Sequence, residues 1–334
     1  MRRLLLPLLL ALGLAAGTAR GAAAAPPTVD FGLAKCAHCV PLVLLPDYAK
    51  GVTIKPTVFT NGNDVLTALL SGSIQIAQVT YVAYITAIDR GFHVVAVAGQ
   101  IGGGSQIVLA PSLHVAAGDW TALKAAIAKA KAAGKHFTVA ASRGSPQDMD
   151  MRGVLAKHGI KVGGTVQFVN ISDPATESTA LADGGADMIC AVDPFATEIR
   201  ASKTGTFFAY PYDQAGGKLA NVILTSPKMI HDHPALVQAT VDAVIADNNA
   251  MMADHAKWAG VITKVTGLPL DLSKLAIKNL YPDVGMSRAR VLAIAQMMHT
   301  LGYIQNDDTK AVSSHLDYRF LMKATGKTEK QLGG

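Results

Sequence analysis

The segment over residues 59–90 limits the possible folds of this chain more than any other segment. Its pattern predicts a loop, a short helix, a tight glycine turn, a short strand, a loop and a helix. The first helix is predicted over residues 63–71, before Gly72, and the strand over residues 74–77. In open α/β folds such a unit brings polar side chains and helix N-terminal N–H groups to the carboxyl end of a sheet, where small ligands bind. The segment offers neither an acid–base pair nor a nucleophile. It therefore predicts a site that holds a molecule without changing it.

The same alternation of strands and helices continues along most of the chain. Two such series cover residues 29–110, with a loop and helix within residues 36–50, and residues 119–210. Helices dominate from residue 234 onwards, and the first of them is predicted over residues 234–257. We therefore predict an α/β protein with two lobes and a helical C-terminal part. The chain is expected to cross between the lobes near residues 110–113 and again near 204–212. The first lobe is then built from both ends of the sequence.

The N-terminus has the pattern of a secretory signal. Two arginines precede an apolar run from Leu4 to Ala16, and a tract of small residues ends at Ala25. We predict that residues 1–25 are a signal peptide, because the apolar run is too short for a comfortable transmembrane helix. The expected location of the mature protein is the periplasm.

The charge balance makes nucleic acid a poor candidate partner. The whole chain has a formal net charge of +6. Removal of the signal peptide takes away three arginines and no acid, which leaves about +3. The sequence contains neither a basic block nor a Lys/Arg stripe interleaved with aromatic residues, the pattern typical of nucleic-acid binding.

The motif Cys36-Ala37-His38-Cys39 directly follows the first predicted strand. Two cysteines at this spacing form a disulfide, a redox pair or half of a metal site. In an oxidising compartment a short disulfide loop is the ordinary interpretation, and we predict a disulfide between Cys36 and Cys39. A zinc site needs two further ligands, and none stands nearby in the sequence. The third cysteine, Cys190, ends a predicted strand and either faces the same edge or is buried.

Two further segments leave a strand and open a helix. In residues 143–148, Arg-Gly-Ser-Pro-Gln-Asp, the hydroxyl of Ser145 and the helix dipole favour an anionic or polar group. The Asp193-Pro194 pair repeats this arrangement at the next strand end. Because Ser145 lacks the following x-Gly of a nucleophile elbow, a hydrolase is disfavoured.

Together these motifs resemble the periplasmic substrate-binding proteins of ABC importers for nitrate, sulfonates and taurine, which also include binders of thiamine-pyrimidine precursors. The resemblance covers about residues 28–215. The motifs that carry it are residues 61–77, 103–105, 143–145, 187–188 and 193–195.

The resemblance implies a two-lobed periplasmic binding protein fold, type II-like, with parallel or mixed sheets flanked by helices and the ligand in the cleft between the lobes. We place the first lobe at residues 26–111 and 208–334, and the second at 112–207. A monomer without a cofactor is implied. The implied ligand contacts are His38, Asn61, Thr80, Tyr81, Ser105, Ser145, Asp148 and Asp193.

The predicted function is that of a periplasmic receptor that captures a small organic molecule and delivers it to the permease of an ABC importer, without turnover. Asp148 and Asp193 would repel an anion unless Lys35, Arg143 or helix termini offset them. The sequence therefore allows a neutral, zwitterionic or cationic ligand as well as an anionic one.

The alternative function is that of an exported metal- or thiol-dependent protein that uses the motif at residues 36–39. An enzyme on the same fold, such as a pyrimidine synthase, is disfavoured because the strand-end loops lack an evident base, nucleophile or Schiff-base lysine.

Overall fold

The computed structural model describes residues 25–334, so the predicted signal peptide lies outside the described residues except for its last position. In chain order the strands are β1 (Thr28–Ala34), β2 (Thr53–Phe59), β3 (Ile76–Thr80), β4 (Val95–Gly99), β5 (Ile101–Gly103), β6 (Ser105–Leu109), β7 (Phe137–Ala141), β8 (Val166–Asn170), β9 (Met188–Val192), β10 (Thr206–Ala209), β11 (Asn221–Thr225) and β12 (Leu280–Pro282). The α-helices are α1 (Leu45–Tyr48), α2 (Gly62–Leu70), α3 (Tyr81–Asp89), α4 (Trp120–Ala132), α5 (Pro146–Lys157), α6 (Glu177–Ala182), α7 (Phe195–Ala201), α8 (Pro227–Asp232), α9 (Pro234–Ala253), α10 (His255–Thr266), α11 (Leu270–Ile277), α12 (Arg288–Thr300), α13 (Thr309–Ser314) and α14 (Arg319–Thr325).

Most of the strands form two five-stranded sheets. The first sheet has the order β2-β1-β3-β11-β4, and the second has the order β10-β6-β9-β7-β8. In the first sheet β1 runs parallel to β2 and β3, whereas β11 runs antiparallel to β3 and β4. In the second sheet β7 is parallel to β8 and β9, whereas β6 is antiparallel to β9 and β10. These mixed sheets flanked by helices confirm the predicted fold class.

The antiparallel strands bring their first residues to the edge where the parallel strands end. Asn221 begins β11 and lies opposite Thr80, the last residue of β3. Likewise Ser105 begins β6 and lies opposite Val192, the last residue of β9. Residues distant in sequence therefore stand side by side at the carboxyl edge of each sheet.

The chain enters the second sheet earlier than the sequence predicts. The predicted crossing near residues 110–113 assigns the preceding strand to the first lobe, but β6 pairs with β9 in the second sheet. The preceding strand β5 pairs with β12, so the change of sheet falls at Gly103 and Gly104, whose φ angles are +82° and +81°. Glycine adopts such angles without steric cost.

The return to the first sheet runs between β10 and β11, beside the predicted crossing at residues 204–212. From this pairing we propose that the second lobe spans residues 105–209 in place of 112–207. The first lobe comprises the first sheet with the segments on either side of that range.

The apolar core around the first sheet extends to Met149, Val192 and Phe195 of the second lobe, and the second sheet has a further core of its own. Phe31, Tyr84 and Val241 belong to the core around the first sheet, and Phe137 and Phe208 belong to the core around the second. A further apolar cluster joins α10 and α11 to the turn after β1. These clusters fix the strand ends that carry the loops described below.

Some helices differ from the predicted bounds for identifiable reasons. The helix expected within residues 36–50 is a 3₁₀ turn followed by the short α1, in a stretch where Pro41 and Pro46 have no N–H to donate. The helix predicted over residues 234–257 ends at Ala253, because the side chain of Asp254 accepts a hydrogen bond from a backbone N–H of α10.

In the part of the chain that the structure describes, no helix combines the length and the apolar character needed to cross a membrane.

Asp247 on α9 is fully buried, and neither carboxylate oxygen has a hydrogen-bond partner. Burial raises the pKa of this carboxyl to about 8; Asp47 adds to the rise and Lys257 opposes it. Between its unfolded and folded pKa values the folded protein holds a proton that the unfolded chain has released. The contribution of Asp247 to the free energy of unfolding is therefore fully present at low pH. It decreases by about 1.4 kcal/mol per pH unit as the pH rises toward 8.

We expect Asp247→Asn to remove this contribution to the pH dependence. Relative to the wild type, the variant should gain free energy of unfolding at pH 8 and little at pH 5, as measured by urea denaturation at both values. Asp242→Asn is the matched control, because Asp242 lies on the same helix and is exposed. Equal pH slopes for wild type and Asp247→Asn would contradict the assignment.

The turn at Gly104 allows a second comparison. A Cβ atom there would lie 2.5 Å from Nδ1 of His38, whereas a Cβ at Gly72, with a similar φ of +78°, would meet nothing within 4 Å. We expect Gly72→Ala to cost about 1–2 kcal/mol from backbone strain alone. Gly104→Ala should cost about 1–3 kcal/mol more from overpacking. Thermal or chemical denaturation measures both, and equal losses would show that His38 moves aside freely.

Candidate ligand-binding cleft

A cleft opens between the two lobes at the carboxyl edges of their sheets. It contains about 640 Å³ of empty space, its mouth included. Its lining residues are Ala34, Lys35, Cys36, His38, Cys39, Thr60, Asn61, Gly62, Asn63, Gln78, Thr80, Ser142, Gly144, Ser145, Pro146, Gln147, Pro174, Val192 and Asn221.

Most of these residues directly follow strand ends. The first lobe contributes the segments after β1 and β2 and the end of β3, and the second contributes the segment after β7 and the end of β9. This is the position at which open α/β sheets bind ligands. The prediction that the unit at residues 59–90 contributes to such an edge agrees with this placement.

Three helices begin at the cleft. The side chain of Asn61 accepts hydrogen bonds from the N–H groups of Asn63 and Asp64 at 3.0 and 3.1 Å, which starts α2. Thr80 accepts from the N–H of Ala83 at 3.1 Å and starts α3. Each cap oxygen is engaged with its own helix, so these residues position the helix dipoles toward the cleft as well as lining it.

Ser145 plays the same part in the second lobe. Its hydroxyl accepts a hydrogen bond from the N–H of Asp148 at 3.3 Å, and Pro146 occupies the first position of α5. Pro146 lacks an N–H and has a φ that suits this position, so the helix starts at the cleft. Asn61, Thr80, Ser145 and His38 are the four predicted contact residues that the structure brings together as lining residues.

Cys36 and Cys39 form a disulfide, with their Cα atoms 5.1 Å apart. The disulfide closes the turn after β1, and both cysteines line the cleft. Trp258 of α10 secures the turn by donating from Nε1 to the carbonyl of Ala37 at 3.1 Å. Cys190 is a free cysteine within the core of the second lobe. It is therefore buried and does not face the cleft edge, which was the other possibility for this residue.

His38 projects from this turn and is nearly inaccessible to solvent. Burial lowers its pKa to about 4, so the imidazole is neutral at pH 7. Its Nδ1 packs beside Gly104 and has no hydrogen-bond partner, while its carbonyl accepts from Nε2 of Gln100 at 2.9 Å. The side chain therefore adds a neutral polar group to the cleft.

The structure places the carboxylate of Asp148 away from the cleft, contrary to its predicted contact role. Asp148 is fully buried and forms an ion pair with Arg152, with Nε and Oδ1 2.7 Å apart. Its Oδ2 accepts from the N–H of Gly144 at 3.0 Å and from the hydroxyl of Tyr303. With these partners the carboxylate supports the loop at the cleft and is not offered to a ligand.

The carboxylate of Asp193 also lies away from the cleft, contrary to its predicted contact role. Its carboxylate accepts hydrogen bonds from Nε2 of Gln106 at 2.8 Å, Oγ1 of Thr197 at 2.8 Å and Nδ2 of Asn279 at 3.0 Å. Burial raises its pKa, and these hydrogen bonds oppose the rise. Its backbone N–H donates to the carbonyl of Gly104, so Asp193 joins the lobes at the crossing.

The remaining two predicted contacts are also displaced. Tyr81 is buried in the core of the first lobe, and its hydroxyl has no partner there. Ser105 lies behind the cleft, where its hydroxyl accepts from Nε2 of Gln147 at 2.9 Å. Gln147 is the residue that faces the cleft, with Ser105 positioning its amide.

Gln78 and Asn221 are lining residues that the sequence did not predict as contacts. Gln78 lies in the middle of β3, with its Oε1 3.3 Å from the N–H of Ala34. Asn221 reaches the cleft only because β11 is antiparallel, which a reading of the sequence alone does not reveal. Its Nδ2 lies 3.5 Å from Sγ of Cys39 and 3.4 Å from Oε1 of Gln100, and its Oδ1 has no partner.

The charge of the cleft follows from these placements. Among the lining residues Lys35 carries the only charge, because His38 is neutral and both aspartates are engaged elsewhere. The other polar groups are amides and hydroxyls. The arrangement can bind a small polar molecule through hydrogen bonds and one cation.

Tyr303, which packs on the first core, donates its hydroxyl to Asp148 of α5, and this is one of several hydrogen bonds between the lobes. We expect Tyr303→Phe to cost about 1.5–3 kcal/mol of stability, because the acceptor is charged. It should also increase the radius of gyration in small-angle X-ray scattering, since one of the contacts between the lobes is lost. Tyr318→Phe is the matched control, because Tyr318 donates to the carbonyl of Met286 within the first lobe. An unchanged radius for Tyr303→Phe would contradict the interlobe role.

Comparison with known proteins gives the family. Residues 22–263 match the NMT1-like family. Comparison with curated protein sequences gave no significant match.

Solved structures share the fold. The alkanesulfonate-binding protein SsuA from Xanthomonas axonopodis pv. citri, bound to MOPS, has a TM-score of 0.72 at 18% identity, covering 89% of this chain and 100% of that one. The nitrate-binding protein NrtA from Synechocystis PCC 6803 has a TM-score of 0.76 at 15% identity, covering 91% and 90%. A ligand-binding component of an ABC-type import system from Staphylococcus aureus, with zinc bound, has a TM-score of 0.73 at 15% identity, covering 90% and 100%. This chain therefore belongs to the NMT1-like family and has the fold of periplasmic binding proteins.

Proposed function

We propose that this protein is an exported solute receptor that binds one small polar molecule between its lobes and delivers it to an ABC importer in the membrane. The observation that carries the proposal is the cleft at the carboxyl edges of both sheets, which both lobes line with amides, hydroxyls and helix N-termini. Such sites hold a ligand through a few well-placed polar groups. The protein acts as a monomer in the periplasm.

Binding without turnover suits the chemistry of the cleft. Its lining residues include no carboxylate and no free thiol, since Asp148 and Asp193 are engaged elsewhere and Cys36 and Cys39 form a disulfide. A general acid–base pair or an activated nucleophile is the usual requirement for catalysis. The hydroxyl of Ser145 caps its own helix by accepting a hydrogen bond from the N–H of Asp148.

The ligand is uncharged or singly anionic and rich in hydrogen-bond acceptors. The sequence left a cationic ligand open because of two aspartates, and neither carboxylate faces the cleft. Lys35 and the starts of α2, α3 and α5 instead favour negative charge or acceptor atoms. The fold relatives named for alkanesulfonate and nitrate binding support the same class.

Resident thiol or metal chemistry is the second candidate. Cys36, His38 and Cys39 lie close enough to form a donor set, which favours it, but the disulfide removes both thiolates from the protein as described. Titration with a thiol reagent under denaturing conditions tests this point. We expect a single reactive thiol, that of Cys190; three would favour the second candidate.

A thermal-shift screen of the mature protein tests the receptor. Suitable compounds are nitrate, methanesulfonate, taurine, an aminopyrimidine and choline. A compound that binds only the folded state raises the melting temperature as its concentration exceeds its Kd. We expect a rise with an uncharged or anionic compound and none with choline. A rise with choline alone would overturn the proposed ligand class.

Lys35 provides the sharper test once a binding compound is found. We expect Lys35→Gln to raise the Kd of that compound roughly tenfold, which corresponds to about 1.4 kcal/mol, because a charge-assisted contact is lost. Isothermal titration calorimetry measures it. Lys50→Gln is the control, since Lys50 is exposed and outside the cleft lining. An unchanged Kd in Lys35→Gln would remove Lys35 from the site.

A further inference from the structure

Three potential metal ligands stand together in the turn after β1. The ligand atoms of Cys36, His38 and Cys39 all lie within 4.8 Å of one another. Zinc bond lengths of about 2.3 Å to sulfur and about 2.0 Å to nitrogen place tetrahedral donors roughly 3.5–3.8 Å apart. The set is therefore close to what one ion requires once the two sulfurs are no longer bonded to each other.

We propose that reduction of the Cys36–Cys39 disulfide converts this turn into a binding site for a thiophilic metal ion, with His38 as third ligand and a fourth position open to the cleft. The oxidised chain lacks the site. The location of the open position within a ligand cleft rests on the proposed function, whereas the metal site itself does not.

Reduction by a dithiol follows thiol–disulfide exchange. Cys36 is the more exposed of the two cysteines, at 7% against 2% for Cys39, so we assign its Sγ as the atom that the thiolate attacks. A mixed disulfide forms and Cys39 leaves as a thiolate. The second thiol of the reductant then releases Cys36, so two electrons and two protons pass to the cysteines and the reductant becomes a disulfide.

Asn221 favours this reaction and the site that results. Its Nδ2 lies 3.5 Å from Sγ of Cys39, where an N–H donor stabilises the leaving thiolate and later the metal-bound sulfur. The turn is also fixed from outside by Trp258, which donates to the carbonyl of Ala37. The ligands are therefore held near one another whether or not the sulfurs are bonded.

The donor set selects the class of metal. Two thiolates and an imidazole suit Zn²⁺ or Cu⁺, whereas Mg²⁺ and Ca²⁺ require oxygen ligands. Binding releases the two thiol protons that reduction supplied. The open fourth position faces the space that the organic ligand would use, so metal and ligand compete. The redox state of one turn thereby regulates the cleft.

Cobalt is the direct probe, because a thiolate bound to Co²⁺ gives a charge-transfer band in the near ultraviolet. The purified chain is reduced with a phosphine, freed of reductant without oxygen and titrated with Co²⁺, beside an oxidised sample. We expect one equivalent of Co²⁺ and the charge-transfer band in the reduced sample alone, with displacement by Zn²⁺. Absence of the band after confirmed reduction overturns the proposal.

Variants identify the ligands. Cys36→Ser and Cys39→Ser should each weaken or abolish the band, and His38→Ala should weaken Co²⁺ binding by at least about tenfold, as expected for one lost ligand. Cys190→Ser is the matched control, because Cys190 is buried in the second lobe, and it should bind as the wild type does. A band that survives Cys36→Ser but is lost in Cys190→Ser would assign the metal elsewhere. Neither result depends on an organic ligand, so failure here leaves the receptor proposal to its own test.

Discussion

The buried carboxylate of Asp193 joins the segments on which the geometry of the cleft depends. It receives hydrogen bonds from Gln106 at the start of the second sheet, and from Asn279 between α11 and β12. Through its backbone it also bonds to Gly104 at the crossing and to Ala37 in the disulfide turn. A carboxylate without these donors would be costly to bury. The two lobes and the disulfide turn are thus positioned around one buried carboxyl group whose oxygens are hydrogen-bonded.

The carboxylate of Asp148 is also paired with protein groups away from the cleft. Arg152 pairs with its carboxylate, and the guanidinium of Arg152 also lies over the ring of Phe168 at 4.5 Å and over that of Tyr303 at 5.3 Å. The negative charge is neutralised behind the loop that lines the cleft. What remains exposed to a ligand is the dipole of α5, amide groups and Lys35.

Much of the fold was predictable because strand–helix alternation and helix caps are local signals. The resemblance implied Asn61, Thr80 and Ser145 as ligand contacts, and the structure shows that each also caps the helix that follows it, a role that is recognisable from a few neighbouring residues. The Ser145-x-x-Asp148 spacing also indicates where the Asp148 carboxylate lies. An acidic residue three positions after a cap commonly turns back toward the start of its helix and so away from a ligand.

The remaining contacts depend on pairing between distant segments. Asn221 reaches the cleft because β11 is antiparallel, and Ser105 moves to the second lobe because β6 pairs with β9. No local pattern specifies either partner. The orientation of Asp193 depends in turn on Asn279, which lies 86 residues away.

The position of β11 has a consequence for the order in which the protein forms. This strand lies between β3 and β4 in the first sheet, yet it follows the entire second lobe in the chain. During synthesis the first sheet lacks its fourth strand, between β3 and β4, until residue 225 has emerged, whereas the second lobe is one uninterrupted stretch of chain. Non-local pairing of this kind is slow. We therefore expect the first sheet to be completed late in synthesis, only after the whole second lobe has emerged.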